Sequence, residues 1–230
     1  VSHIRANIAA TAITKSPAAT CNTWKAGKPY EIKTSLFSFK ADAASLYDDI
    51  CFRYTEQTSP KYYSAVVQLQ DTKIPLHTYA SLGIKLNKLL PFGLSSKLVF
   101  VHHIKAATLP GNNPQDAAAA TFENGWARAN IRTFGNYYVA LDTVAPAIKP
   151  LQKAGNLSKV KKISFKVTDN LTSVQQYKAE LDGQWLRFVR VGNVFTYSFD
   201  EHCSKGKHSL VISASDENNN SRNYTFTFTR

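Results

Sequence analysis

Histidines have the widest range of catalytic and metal-binding chemistry of any residue type in this sequence. His102 and His103 are adjacent in an apolar run that reads as a strand, so they should face opposite ways and cannot bind one metal ion together. His202 and His208 flank Cys203 in a turn, without the spacing of a zinc motif. We therefore predict ordinary surface or turn histidines at all six positions: His3, His77, His102, His103, His202 and His208.

Carboxylates offer acid–base chemistry only where two of them converge. Asp48 and Asp49 are adjacent, so in a strand they would also face opposite ways. The sequence contains no G-x-S-x-G, no phosphate loop, no G-x-G-x-x-G and no H-E-x-x-H. We predict that this chain contains no catalytic residue.

Three further aspartates could together form one metal site. Asp142, Asp169 and Asp216 could converge near the junction of two domains on a calcium ion, which prefers oxygen ligands. Their loops lack the dense D-x-D/N pattern of a dedicated calcium loop. Our prediction is that the chain holds no metal and no cofactor, with this calcium site as the alternative.

The three cysteines, Cys21, Cys51 and Cys203, are far apart and odd in number. No C-x-x-C or Cys/His spacing indicates a zinc ribbon or a thioredoxin-type site. The pattern allows one disulfide and a free thiol, but it favours three buried reduced thiols.

Exposed aromatic residues would mark a sugar-binding face, because pyranose rings stack on flat side chains. Trp126 and Trp185 are the candidate platforms, and Trp185 follows a predicted hairpin turn at Asp182-Gly183. Packing in cores and across strands is the favoured interpretation for these residues and for the others of the set, Trp24, Tyr62 and Tyr63.

The chain is basic, with 28 Lys and Arg against 16 Asp and Glu, a net charge of +12. The densest basic run contains Lys159, Lys161, Lys162 and Lys166, either edge-strand lysines that prevent sheet-to-sheet pairing or a binding patch. No nucleic-acid recognition motif accompanies the charge, so we predict no nucleic-acid partner. No apolar run is long enough to cross a bilayer as a helix.

Short alternating segments bounded by turn residues predict an all-β fold of two tandem immunoglobulin-like β-sandwich domains. We place the first at 1–143, with about 30 N-terminal residues that could be an entering strand or a tether, and a smaller second one at 147–230. Phe134–Leu141 should close the first domain as part of a hairpin-like pair around 133–136. Pro146 and Pro150 then stiffen the joint.

The region Ala107–Gly125 contains a cluster of turn residues and reads as a long loop. Its run of alanines could add a short helical turn. We consider this loop, together with the lysine run, as a surface for a partner.

Several motifs carry a family resemblance, among them FGNYYVALDTVAPAIKPL, GKHSLVISASDENNNSRNYTFTF, SLYDDICFRY and PLHTYASLGIK. They resemble the C-terminal region of Bacteroidetes cell-envelope proteins that carry a lysostaphin-type zinc peptidase domain, a peptidoglycan endopeptidase family. The resemblance runs from about Lys33 onward. Asn219 stands where glycine is common in that family.

The resemblance implies zinc and catalysis only in a domain upstream of this chain, because no H-x-H pair is present. The start at Val1, without an initiator methionine or signal peptide, leads us to expect a processed, trimmed or partial product. In Asp142-Thr143-Val144 the resemblance implies an O-glycosylation site at Thr143.

From these features we expect an extracytoplasmic, periplasmic or outer-membrane-associated module that binds or scaffolds without catalysis. It would dock on an envelope or outer-membrane protein complex. The alternatives are a carbohydrate-binding module for peptidoglycan or another glycan, and an accessory part of an active zinc peptidase.

Overall fold

The fold is built almost entirely from β-strands. A computed structural model describes residues 22–103 and 115–230, apart from the side chains of His103 and Gln115. Within these ranges there is one short 3-10 helix, Ser95–Lys97, and no helix that could span a membrane. The strands are β1 (Asn22–Trp24), β2 (Tyr30–Lys33), β3 (Phe37–Ala41), β4 (Ile50–Phe52), β5 (Tyr54–Gln57), β6 (Val66–Leu69), β7 (Pro75–Lys85), β8 (Leu98–His103), β9 (Gln115–Ala119), β10 (Thr121–Glu123), β11 (Trp126–Thr133), β12 (Gly135–Leu141), β13 (Ala147–Pro150), β14 (Gly155–Asn156), β15 (Lys162–Thr168), β16 (Val174–Leu181), β17 (Gln184–Trp185), β18 (Val189–Val191), β19 (Val194–Ser198), β20 (Lys207–Asp216) and β21 (Ser221–Thr229).

The first sandwich packs two five-stranded sheets, with strand orders β10-β11-β7-β3-β2 and β5-β6-β12-β8-β9. Alternation along the central strands sends every second side chain inward; in β3, Phe37 and Phe39 are buried while Lys40 is exposed. Both sheets contribute to one core, which includes Phe37, Phe39, Leu82, Ile84, Val67, Leu69, Leu98, Phe100, Tyr137 and Val139.

Of the two interpretations of the N-terminal segment, the entering strand is found from Asn22 onward and the tether is wrong there. Strand β1 pairs antiparallel with β4, and its Trp24 is only 5% exposed. The Trp24 ring stacks on Phe52 at a centroid distance of 3.8 Å and on Tyr30 at 4.5 Å. A packed tryptophan buries a large apolar area, so this segment belongs to the first core. Residues 1–21 lie outside the described part of the chain.

The second sandwich pairs the sheet β13-β15-β19-β18 with the sheet β14-β21-β20-β16-β17. Its core is separate from the first and includes Ile163, Phe165, Val167, Phe195, Tyr197, Leu181, Leu210, Ile212, Phe226 and Phe228. The prediction of an all-β protein with two tandem sandwiches is thereby confirmed. The limits 1–143 and 147–230, as units that fold independently, stay a prediction.

The predicted hairpin around 133–136 is wrong. Strand β11 pairs with β7 in one sheet, whereas β12 pairs with β6 and β8 in the other, so the chain crosses between sheets at Phe134-Gly135. Gly135 has φ +142 at the crossing, a region that favours glycine.

Two other local predictions had different outcomes. The Asp182-Gly183 hairpin is confirmed, with Leu181 paired to Gln184 and φ values of 50 and 83 at the two turn residues. The long loop Ala107–Gly125 is largely wrong, because its later part forms β9 and β10, and the alanines lie in strand rather than in a helical turn. Residues 104–114 of that region lie outside the described ranges.

Asp182 of the Asp182-Gly183 hairpin forms an ion pair with His208 of β20, and this pair should make the stability of the fold depend on pH. His208 Nδ1 lies 2.7 Å from Asp182 Oδ2, and its Nε2 lies 2.8 Å from the Ser204 carbonyl oxygen. Both partners are acceptors, so they favour an imidazolium that donates twice. The hydrogen bond to Asp182 raises the pKa of His208 above its usual 6.5, and hydrogen bonds from Ser209 and His208 lower the pKa of Asp182 below 3.8.

A raised histidine pKa stabilises the fold below the unfolded-state pKa, and this stabilisation is lost as pH rises through the folded-state pKa. We therefore expect Asp182→Asn to lower the free energy of unfolding by about 0.5–1 kcal/mol at pH 5.5 and by less at pH 8.5, since one partner is solvent-exposed. Asparagine keeps the acceptor for the Ser209 N–H and tolerates the positive φ. Urea unfolding at the two pH values measures the difference, and an equal loss at both would contradict the ion-pair explanation.

Candidate functional site

Three aspartates from distant parts of the chain meet at the junction of the two sandwiches. Asp142 follows β12, Asp169 follows β15 and Asp216 ends β20. One carboxylate oxygen from each lies within 4.8 Å of the other two. We call these three residues the junction carboxylates. Their convergence is the arrangement considered in the sequence, produced because all three strands end at the same place.

Each junction carboxylate is held by local donors. Asp216 accepts the backbone N–H groups of Asn218 and Asn220 at 2.9 and 2.8 Å, and the Asn220 side-chain amide at 2.8 Å. Asp142 accepts the Thr172 hydroxyl at 2.8 Å. Backbone N–H groups of a tight turn satisfy one oxygen of Asp169, at 3.0 and 3.2 Å. These donors explain how Asp142 and Asp216 can be 0% exposed.

The cluster is nonetheless rich in negative charge. Asp169 Oδ1 is buried and has no hydrogen-bond partner among the described residues. Burial raises the pKa of Asp169, and the charges of Asp142 and Asp216 raise it further, while its backbone hydrogen bonds act in the opposite direction. The ion pairs found in the described ranges, Lys178–Glu180 and His208–Asp182, do not involve the cluster. Three carboxylates with few compensating charges are a donor set suited to a hard cation such as Ca²⁺.

Removing one of these charges should stabilise the protein in metal-free buffer. In Asp169→Asn the remaining carbonyl oxygen can still accept the turn N–H groups, and the new amide can donate toward the neighbouring carboxylates. We expect a gain of about 1 kcal/mol in the free energy of unfolding. Asp48→Asn, which neutralises an exposed aspartate, is the control and should change little.

The measurement is thermal and urea unfolding in EDTA, repeated in millimolar Ca²⁺. A lower stability of Asp169→Asn in EDTA would contradict the expectation. A Ca²⁺-dependent rise in Tm in the wild type that the variant lacks would contradict the prediction that the chain holds no metal.

The same turn segments bond the two sandwiches together. The Asn218 side-chain amide donates to the carbonyl oxygens of Ser96 and Leu98 at 3.1 and 3.3 Å. Lys97 Nζ donates to the Asn218 carbonyl oxygen at 2.7 Å, and the Asn220 amide donates to the Asp142 carbonyl oxygen at 2.9 Å. These bonds join residues that are 78 to 122 positions apart in the sequence.

An apolar contact reinforces the polar ones. Leu171, from the turn that carries Asp169, packs against a small cluster on the outer face of the first sandwich. That cluster is formed by Val99, Val101, Ala117 and Tyr138. The junction is therefore a packed and hydrogen-bonded contact rather than a simple proline linker.

The asparagines that build this contact were missed by the sequence analysis as site residues. Asn218 and Asn220 are almost fully buried, although asparagine is usually exposed. The available signal was the stretch DENNN directly after a strand that ends in aspartate. Asn219 between them has φ +58, which explains why a residue tolerant of the left-handed region, glycine or asparagine, is needed there.

The predicted aromatic platforms do not form one surface. Trp185 is 66% exposed on β17 of the second sandwich, whereas Trp126 is half-buried on β11 of the first, with the Arg128 guanidinium 5.8 Å from its ring centroid. Tyr62 stacks on Tyr138 at 3.7 Å. Core packing, the favoured interpretation, is therefore wrong for Trp185, and of the two tryptophans it alone keeps the exposure that stacking on a sugar requires.

The lysine run is exposed but does not protect a sheet edge. Lys162 and Lys166 belong to β15, which pairs with β13 on one side and β19 on the other, so the edge-strand interpretation is wrong. Lys159 and Lys161 precede the strand. All four are exposed, and Lys166 lies opposite Lys149, so this sheet carries a basic surface.

The histidines and the paired aspartates do not form a reactive centre in the described ranges. The surface-or-turn interpretation is wrong for His102 and His208, which are buried strand residues. The Nε2 of His102 lies 3.1 Å from the Phe134 carbonyl oxygen. Asp48 and Asp49 line a surface cavity of about 590 Å³, and Asp49 accepts the Ala26 N–H. Within the described residues, no histidine or cysteine joins a group that could share a metal ion.

The favoured prediction of three reduced thiols is wrong. Cys51 is disulfide-bonded, whereas Cys203 is a free and buried thiol in the second core. Cys21 lies outside the described residues. Burial raises the pKa of Cys203, which makes it a poor nucleophile at neutral pH.

Thr143 is exposed, as a modification site would require, while the adjacent Asp142 side chain is buried. Glycosylation at this position stays a prediction.

The first sandwich matches a known family of protein domains. A model of the Zu5-like domain matches residues 22–142, more than half of the 230-residue chain. The chain belongs to the Zu5-like domain family. The matched range ends at Asp142, so the Zu5-like region is the first sandwich up to the first junction carboxylate. No curated protein matches the chain.

Solved structures similar to the chain are distant. Fibronectin(III)-like modules of Clostridium thermocellum CbhA share 14% identity at a TM-score of 0.32, over 66% of this chain and 83% of that one. Dimeric latent PorU from Porphyromonas gingivalis shares 12% identity at a TM-score of 0.31, over 77% of this chain and 24% of that one. The polysaccharide lyase BACCELL_00875 shares 8% identity at a TM-score of 0.27, over 94% of this chain and 36% of that one. The resemblance to lysostaphin-type envelope proteins stays a prediction.

Proposed function

We propose that this chain is a non-catalytic, extracytoplasmic binding and scaffolding module whose two sandwiches are held in one arrangement. The observation that carries the proposal is the junction, where Asn218 and Asn220 bond across the two sandwiches and Leu171 packs between them. A module that only tethered its neighbours would need no buried cross-junction hydrogen bonds. A fixed arrangement presents the loops and edges of both sandwiches to a partner together.

Two further observations support this function. The disulfide at Cys51 favours an oxidising compartment, outside the cytoplasm. Asp182 is paired with His208 and Cys203 is a buried thiol, so neither is free to act on a substrate, and this favours binding over catalysis. We propose an envelope or outer-membrane protein complex as the partner, in keeping with the resemblance to peptidase-associated envelope proteins.

The fixed arrangement can be tested by pulsed dipolar spectroscopy between spin labels on the two sandwiches. Lys40→Cys and Arg222→Cys place labels at exposed strand positions. The native Cys51 is disulfide-bonded and Cys203 is buried, so neither competes for the label. We expect one narrow distance distribution, which Asn218→Ala should broaden. A broad distribution in the wild-type background would overturn the proposal.

Carbohydrate binding is the second candidate, favoured by the 66% exposure of Trp185. Its test is binding to peptidoglycan fragments and other envelope glycans, with Trp185→Ala compared with Trp126→Ala. Loss of binding in the first variant alone would support a stacking role for Trp185. Equal binding by the wild type and both variants would exclude it.

A further inference from the structure

The loop between β7 and β8 carries the most exposed large apolar side chains of the described chain. Leu89 is 97% exposed and Phe92 is fully exposed. Solvated phenylalanine and leucine at one loop tip are unfavourable in water unless another surface covers them. We call residues 86–94 the apolar tip.

The apolar tip is anchored. Leu90 is half-buried and packs against the first core, and Leu94 N–H bonds the Pro91 carbonyl oxygen at 3.2 Å to close a turn. Gly93 has φ +79 in this turn. The exposure of Leu89 and Phe92 is therefore set by an ordered turn in a loop that holds Leu86 and Leu90 against the core.

A second loop supports the tip. Asn87 donates its backbone N–H to the Tyr63 carbonyl oxygen at 3.0 Å and its side-chain amide to the Ser59 carbonyl oxygen at 3.1 Å. Lys88 Nζ donates to the Pro60 carbonyl oxygen and lies 5.5 Å from the Tyr63 ring centroid. Loops 59–63 and 86–94 thus form one end surface of the first sandwich.

The charged side chains beside the tip are mainly lysines. Lys61, Lys85 and Lys88 are exposed beside the apolar tip. The nearest hairpin, joined by the Leu86 N–H to the Gly125 carbonyl oxygen, contributes Glu123 as an acidic neighbour.

We propose that the apolar tip docks this protein on an anionic phospholipid surface, with Leu89 and Phe92 inserted at the headgroup–acyl boundary and the lysines against the phosphates. Apolar side chains surrounded by lysine suit a lipid surface better than a protein partner, because the cores of protein interfaces are depleted in lysine. Two inserted side chains and a few lysines give a reversible, peripheral attachment. This surface goes beyond the proposed scaffolding function and does not depend on it.

The test is flotation of the whole chain with vesicles of phosphatidylcholine alone and with 30% phosphatidylglycerol. We expect binding to the anionic vesicles that weakens in 0.5 M NaCl, and a loss of affinity of at least about tenfold in Leu89→Ser/Phe92→Ser. Lys61→Glu/Lys88→Glu should also lose binding. Trp185→Ser removes an equally large exposed residue from the second sandwich and should bind as the wild type does.

A direct reading of insertion comes from Phe92→Trp. The emission of the new tryptophan is obtained by subtracting the wild-type spectrum from that of the variant. It should shift to shorter wavelength on addition of anionic vesicles, because the indole leaves water for the interface. No binding to anionic vesicles, or full binding by Leu89→Ser/Phe92→Ser, would overturn the proposal. Since both side chains are exposed, an unchanged Tm in that variant excludes misfolding as the cause of lost binding.

Discussion

Replacing Asn220 with alanine should lower the free energy of unfolding by about 3 kcal/mol. The Asn220 amide donates to the Asp216 carboxylate at 2.8 Å and to the Asp142 carbonyl oxygen at 2.9 Å. Both acceptors belong to residues that are 0% exposed, so water has no direct access to replace the lost donor. A buried carboxylate left short of a donor is among the most costly consequences of a single substitution.

The matched control is Asn223→Ala, because Asn223 is an exposed asparagine of the next strand, β21. It should change stability by no more than about 0.5 kcal/mol. Guanidinium unfolding followed by circular dichroism compares the two variants. Similar small losses in both would mean that the junction network contributes little and that the sandwiches are held by apolar contact alone.

Gly135→Ala should be almost as damaging, at about 2–3 kcal/mol. A Cβ on Gly135 would lie 2.3 Å from His102 Nε2 and 3.0 Å from Thr72 Cγ2, and φ +142 strains any side chain. His102 cannot move freely, because its ring stacks on Tyr137 at 4.6 Å and its Nε2 contacts the Phe134 carbonyl oxygen. The substitution therefore disturbs the crossing between the two sheets.

Gly27→Ala separates backbone strain from steric clash, since Gly27 has φ +77 with no atom within 4 Å of an added Cβ. It should cost about 1 kcal/mol. In the double variant Gly135→Ala/His102→Ala the cost should be less than the sum of the two single costs, because the imidazole is the clashing group. Strict additivity in urea unfolding would contradict the steric explanation.

The alternation of apolar residues was sufficient to predict an all-β fold of two sandwiches, because burial on one face of a sheet imposes a period of two. It did not reveal β9 and β10, which were predicted as a loop. The hairpin at Asp182-Gly183 was predictable for a similar local reason: aspartate and glycine tolerate the positive φ values of that turn. Convergence of Asp142, Asp169 and Asp216 was visible as an option because each ends or follows a predicted strand.

The errors arose where long-range pairing decides the structure. Strands β11 and β12 read as a hairpin, yet they pair with partners more than 30 residues away in different sheets. The N-terminal segment could not be assigned between a strand and a tether, because Phe52, on which its Trp24 stacks, is remote in sequence. Asn218 and Asn220 are polar residues in a turn, and their burial follows only from the approach of the other sandwich.

The position of β12 has a consequence for the order of events during synthesis. It is the last strand of the first sandwich along the chain, yet it occupies the centre of its sheet, between β6 and β8. A growing chain that ends before β12 has a gap in this sheet and leaves the edges of β6 and β8 without their backbone hydrogen-bond partner. The first sandwich therefore closes only after its whole length has been synthesised, and until then its unpaired strand edges favour aggregation.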